Sequence, residues 1–103
     1  MREEFTYRKN GGRKTKTVYY KDGTKDYEST YWKNGERKAS IHYYEDGTKR
    51  AEFTYWKNGK LKTYIEYCKD GVTKKSKESY CKTGERKSKI HYGNDGKAYL
   101  VGR

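Results

Sequence analysis

The chain reads as an all-β protein, an antiparallel β-meander of tandem hairpins, and three observations carry that reading. Tyrosine recurs at Tyr7, Tyr19, Tyr31, Tyr43, Tyr55, Tyr67, Tyr80 and Tyr92, in steps of twelve residues with a single step of thirteen. Four positions after each comes a glycine: Gly11, Gly23, Gly35, Gly47, Gly59, Gly71, Gly84 and Gly96. The residue before that glycine is Asn or Asp in every unit except the seventh, where it is Thr83, and the chain contains no proline.

Asn-Gly and Asp-Gly are strong hairpin signals, because Gly and Asn or Asp accept a positive φ at little cost. Eight turns imply about nine strands across a single repeat domain of residues 1–103, the first and last strands short. Between the turns the alternation has period two, as in Ile41-x-Tyr43, Phe53-x-Tyr55 and Ile65-x-Tyr67, and Tyr, Thr, Ile and Phe are strand formers. The units also alternate in kind. Asn-Gly units (YRKNGG, YWKNGE, YWKNGK) interleave with Asp-Gly units (YYKDGT, YYEDGT, YCKDGV), giving a hairpin super-repeat of twenty-four residues.

Turn length sets which face the tyrosines take. Two-residue loops would flip the tyrosine series at every strand. Three-residue loops with a glycine bulge would place every repeat tyrosine on one face. The second arrangement gathers Tyr31, Tyr43, Tyr55 and Tyr67 with Ile41, Phe53, Ile65 and Ile90. It is the expected one, because it concentrates scarce apolar surface. Tyr20, Trp32, Tyr44, Trp56, Cys68 and Cys81 would then lie on the opposite face. Val72, the extra residue of the sixth unit, predicts a longer turn or a bulge.

Hydrophobic residues make up only 30% of the chain and charged ones 39%, with a mean hydropathy of −1.53. Such values suit a disordered chain, but an aromatic content of 17% does not. A sheet whose faces are covered by rings and the aliphatic stems of Lys and Arg reconciles the two. Such a sheet is either an extended single layer or solenoid-like. The net charge of +12 favours solubility and attracts polyanions. The sequence has no apolar run long enough to span a membrane and no start resembling a secretory signal. With cysteines expected to be unpaired, a cytoplasmic setting is favoured.

The segment Tyr55-Trp56-Lys57-Asn58-Gly59-Lys60-Leu61-Lys62 resembles a variant MORN repeat, of the type found in bacterial YwqK-like antitoxin components. Tyr31-Trp32-Lys33-Asn34-Gly35-Glu36-Arg37 repeats the pattern, and the Asp-Gly units follow it more loosely. The resemblance implies hairpin arrays that bind proteins or membrane surfaces without catalysis.

Side chains capable of chemistry are few. Cys68 and Cys81 fill equivalent slots in successive units, which a meander puts on the order of 25 Å apart. A disulfide needs Cα atoms about 5.5 Å apart. His42 and His91 share the slot before the repeat tyrosine and have no second ligand at metal-binding spacing. The turn aspartates are explained by turn chemistry, and Glu28, Glu52 and Glu78 by cross-strand ion pairs with strand lysines. The expectation is a protein without catalytic, metal-binding or cofactor-binding residues.

What remains is a basic, aromatic surface. Slots one super-repeat apart share a sheet margin, with Arg8, Trp32, Trp56 and Cys81 on one margin and Tyr20, Tyr44 and Cys68 on the other. The candidate binding residues are Tyr20, Trp32, Tyr44 and Trp56 with Lys33, Arg37, Lys57 and Lys60. The expected function is a non-catalytic hairpin-repeat module that binds or scaffolds a protein partner, with homodimerisation through an aromatic face open. The alternative is a polyanion binder, contacting nucleic acid or acidic lipid, in which the tryptophans stack on bases.

Overall fold

The computed structural model describes residues 2–93 and 97–101. The first seven hairpin turns form in the same way, with the turn glycine alone at positive φ and not the residue before it. At the third, Trp32 N–H donates to the Glu36 carbonyl at 2.7 Å and Gly35 N–H to the Trp32 carbonyl at 3.0 Å. Gly35 sits at φ 89°, in the left-handed region that glycine enters cheaply. Asn34 Oδ1 accepts the Glu36 amide at 2.9 Å, which holds the loop Lys33-Asn34-Gly35 in a tight turn followed by a glycine bulge. The sixth turn has the expected extra residue: Cys68 N–H reaches the carbonyl of Thr73, and Val72 is 79% exposed. The eighth, expected at Asp95-Gly96, lies outside the described residues.

These turns connect β1 (Arg2–Tyr7), β2 (Arg13–Tyr19), β3 (Lys25–Tyr31), β4 (Arg37–Tyr43), β5 (Lys49–Tyr55), β6 (Leu61–Tyr67), β7 (Lys74–Tyr80), β8 (Arg86–Tyr92) and β9 (Ala98–Val101). Among the described residues the nine strands form one antiparallel sheet in sequence order, and none of these residues is helical. With extents of 43 × 37 × 16 Å, the molecule is one open layer.

The pairing corrects the expected placement of the tyrosines. The three-residue loops are present, but each of the first seven hairpins carries one further unpaired residue. Tyr31 pairs with Arg37 while Thr30 pairs with Ala39, so Lys38 is extra. The equivalent positions are Lys14, Asp26, Arg50, Lys62, Lys75 and Lys87. A shift of one residue exchanges the two faces, and the repeat tyrosines therefore alternate. Tyr31 and Tyr55 lie on the face that carries Ser40 and Phe53, which are directly paired. Tyr43 and Tyr67 lie on the face that carries Thr30, Ala39 and Thr54.

The scarce apolar surface is accordingly divided. Ile41 pairs with Glu52 and Ile65 on the threonine face, whereas Phe53 stands with Tyr64 on the other. The second, aromatic face holds most of what core there is. Val18, Ser29, Ser40, Ala51 and Ser76 are buried there. Above them runs a line of rings: Tyr27 to His42 at 5.1 Å, His42 to Phe53 at 5.2 Å, and Phe53 to Tyr64 at 4.7 Å. Serine and alanine are small enough to let these rings lie close to the sheet. On the threonine face, Tyr43 and Tyr67 instead donate their hydroxyls to Glu28 and Glu52.

The bulges also explain two ion pairs. Lys25–Glu28 and Lys49–Glu52 link residues three apart on one strand, at 3.3 and 3.0 Å. Such residues point to opposite faces of a regular strand. The extra Asp26 and Arg50 bring them to the same side. The expected cross-strand pairing holds for Glu78, which meets Lys89 at 3.2 Å.

Candidate functional site

Four of the residues that follow a repeat tyrosine, Arg8, Trp32, Tyr44 and Trp56, reach sideways from a sheet margin to the next hairpin on that margin. Arg8 donates to the Tyr31 carbonyl at 2.8 Å, Trp32 Nε1 to that of Tyr55 at 3.4 Å, and Trp56 Nε1 to that of Tyr80 at 3.3 Å. On the other margin the Tyr44 hydroxyl donates to the Tyr67 carbonyl at 3.0 Å. The turns couple as well. Asn34 Nδ2 donates to the Lys57 carbonyl at 2.8 Å, and Asn58 Nδ2 to that of Lys82 at 2.9 Å.

This coupling gives the alternation of Asn-Gly and Asp-Gly units a physical reason. Asn carries an N–H pair that can cross to the neighbouring turn. Asp has no donor, so Asp22 and Asp46 turn inward and accept from both the amide and the hydroxyl of Thr24 and Thr48. Those hydrogen bonds hold both carboxyls below the ordinary aspartate range.

The two margins therefore differ sharply in charge. The turns on the Asn-Gly edge, residues 8–14, 32–38, 56–62 and 81–87 (the last with Thr83 in place of Asn), hold thirteen Lys and Arg against only Glu36 and Glu85. The Asp-Gly turns at 20–26, 44–50 and 68–75 hold seven basic residues against five acidic. Nearly all of the excess positive charge of the seven turns lies along one edge.

On the threonine-face side of that edge are two shallow grooves. Arg8, Lys14, Trp32, Lys38 and Lys57 help to line the first, and Trp32, Trp56, Lys57, Lys62 and Lys82 the second. Because they share Trp32 and Lys57, they form one trough. Lys38 and Lys57 lie over the Trp32 ring at 5.0 and 5.3 Å, and Lys62 and Lys82 over the Trp56 ring at 4.7 and 5.4 Å. Each tryptophan is thus fixed by its N–H and in turn positions two ammonium groups through cation–π attraction.

Of the candidate residues, Trp32, Trp56, Lys33 and Lys57 come together in this trough. Lys60 belongs to the same edge, where its ammonium donates to the Thr83 carbonyl at 2.8 Å. Arg37 lies on the other face, over the ring of Tyr55 at 4.8 Å. Strand alternation places Tyr20 and Tyr44 on the opposite margin and the opposite face, so the eight do not form one surface. Sequence reasoning missed Lys38 and Lys62, the bulged residues that complete the trough. Their signal was the run of consecutive polar residues opening each strand, which breaks the period-two pattern.

The side chains considered for chemistry have structural settings. His42 lies within the ring stack, Nε2 3.2 Å from Ser40 Oγ. Burial, helped by Arg50, holds its pKa below the usual histidine value. Cys68 and Cys81 are both free. No group of three or more His, Cys, Asp or Glu among the described residues could hold a metal ion. None of the described residues forms a helix long and apolar enough to cross a membrane.

No protein-family model matches this chain, and no curated protein does. Among solved structures it is similar to a chain in the crystal structure of accessory secretory protein 1, 2 and 3 in Streptococcus pneumoniae. The TM-score is 0.61 at 18% identity, over 96% of this chain and 19% of that one. The present chain therefore spans about a fifth of that protein's length, and the likeness is one of fold.

Proposed function

We propose that this chain is a non-catalytic β-hairpin repeat module that serves as a binding or scaffolding surface for a protein partner. The observation that supports the reading most is the single open layer, 16 Å thick. Both faces are accessible, and the side chains of Arg8, Trp32, Asn34, Tyr44, Trp56 and Asn58 hold neighbouring hairpins together. The resemblance of the Trp32 and Trp56 units to MORN-type repeats agrees with this reading. So does the solved neighbour, whose structure is described as containing three accessory secretory proteins. Affinity capture with the folded chain, followed by light scattering of the complex, tests it. A defined stoichiometric protein complex supports the reading. A chain that stays monomeric and captures no protein contradicts it.

A second reading, polyanion binding, is favoured by one specific observation: the concentration of basic residues on the Asn-Gly edge. It predicts affinity for anionic polymers that falls steeply with salt.

A further inference from the structure

Successive Asn-Gly turns stand two strands apart, about 9.6 Å, so four of them place basic side chains along roughly 29 Å of edge. Trp32 and Trp56 lie inside that row, each with its Nε1 hydrogen-bonded to a carbonyl and its ring attended by two lysines. Rings held this way are not free platforms for a base. They are posts that set the position of Lys38, Lys57, Lys62 and Lys82.

We infer that the Asn-Gly edge is a track for the phosphate backbone of a nucleic acid, gripped by the tryptophan-positioned lysines without stacking of bases on the indoles. The inference rests on the polyanion reading and goes beyond it in naming the occupant and the mode of contact. Three features select this occupant. The charge is laid out as a line at constant pitch, which matches a polymer carrying one charge per step. At about 3.4 Å per nucleotide along a strand, 29 Å accommodates roughly eight nucleotides. A lipid surface would instead meet a broad basic face with apolar side chains able to insert. Among the described residues, the large exposed apolar ones, Tyr7, Val72, Tyr99 and Leu100, lie outside the four turns of this edge. An acidic protein would not require four basic turns at equal spacing. Contacts limited to phosphates position a strand but read no sequence.

The test uses the intact chain and fluorescence anisotropy with labelled twelve-nucleotide oligo-dT and oligo-dA, polyglutamate, and vesicles containing phosphatidylserine. The expected result is comparable affinity for the two oligonucleotides, within about threefold. With about six phosphates neutralised, log affinity should fall with log salt at a slope near −4. K38E together with K62E should weaken binding at least tenfold. Both side chains are exposed, so the fold should survive, and circular dichroism checks this. K21E with K69E, equally exposed on the Asp-Gly edge, should weaken binding by threefold or less. Equal losses for the two pairs would overturn the assignment to this edge. Preference for polyglutamate or vesicles over oligonucleotide would overturn the occupant while leaving polyanion binding standing. No binding to any of these probes at low salt would overturn both. A strong preference for one base with quenching of tryptophan emission would overturn the mode of contact.

Discussion

The indole N–H of Trp32 donates to the main-chain carbonyl of Tyr55, two strands away, at 3.4 Å. Neighbouring strands are joined by the sheet ladder, but this bond joins one hairpin to the next over the top of a strand. Arg8, Tyr44 and Trp56 repeat it. A single-layer sheet has little core, and these lateral straps stand where packing would act in a two-layer protein.

Replacing Trp32 with Phe keeps much of the ring and removes the donor. The loss is expected to be about 1–2 kcal/mol, a hydrogen bond plus some packing, read as a lower midpoint in urea unfolding. Unchanged stability would show that the strap contributes nothing.

Exchanging Asn and Asp should be asymmetric. Asn34→Asp removes the N–H that reaches the Lys57 carbonyl at 2.8 Å and should destabilise by about 1 kcal/mol. Asp22→Asn keeps the oxygen that accepts from Thr24 and should have the smaller effect on thermal unfolding. The reverse order would contradict the account of why the two unit types alternate.

Two turn glycines should differ for a similar reason. Gly23 and Gly71 both have positive φ, 91° and 73°, so alanine is strained at either by roughly 1 kcal/mol. A Cβ at Gly23 would meet nothing within 4 Å, whereas at Gly71 it would lie 2.6 Å from Thr48 Cβ, in the preceding turn of that margin. Gly71→Ala is therefore expected to lower the melting temperature clearly more than Gly23→Ala. Equal effects would mean that neighbouring turns are not in close contact.

Turn positions, strand number and meander order were legible in the sequence, because Gly-containing turns and period-two strands are local signals. The faces were not. They depend on one unpaired residue per hairpin, such as Lys38 or Arg50, and a charged residue gives no sign of whether it is paired or bulged when both faces meet water. The trough was half legible for that reason. Trp32, Trp56 and Lys57 stood out, but Lys38 and Lys62 reach the indoles only through the bulge. The straps were invisible, since they join residues twenty-three or twenty-four positions apart through main-chain carbonyls that carry no sequence identity.

Stability should fall at both ends of the pH range. The hydroxyl of Tyr67 is pushed up to about 12 by burial and by its bond to Glu52, and those of Tyr43 and Tyr64 are also raised by burial and by Glu28 and Glu66. An unfolded tyrosine ionises near pH 10. The stability these groups contribute is complete below that value and is lost as pH rises towards their folded values. The part of the tyrosinate absorbance that comes from these three hydroxyls should therefore rise in step with unfolding, not before it. On the acid side, Glu78 is held low by Tyr80 and Lys89. Glu52 is held low by Tyr67 and Lys49 although burial opposes this. Their contribution is present above the ordinary glutamate value, near 4.3, and is lost below it. His42, also lowered, adds an earlier loss as pH falls below about 6.5, which His42→Phe should remove. A urea midpoint independent of pH from 4 to 11 would contradict these assignments.

The inferred phosphate track along the Asn-Gly edge is tested most directly by an amide chemical-shift map of the labelled chain during titration with a twelve-nucleotide oligonucleotide at low salt. The predicted shifts cluster at residues 8–14, 32–38, 56–62 and 81–87, move together and reverse on adding salt. Shifts centred on the Asp-Gly turns at 20–26, 44–50 and 68–75, or on the ring line from Tyr27 to Tyr64, would contradict it.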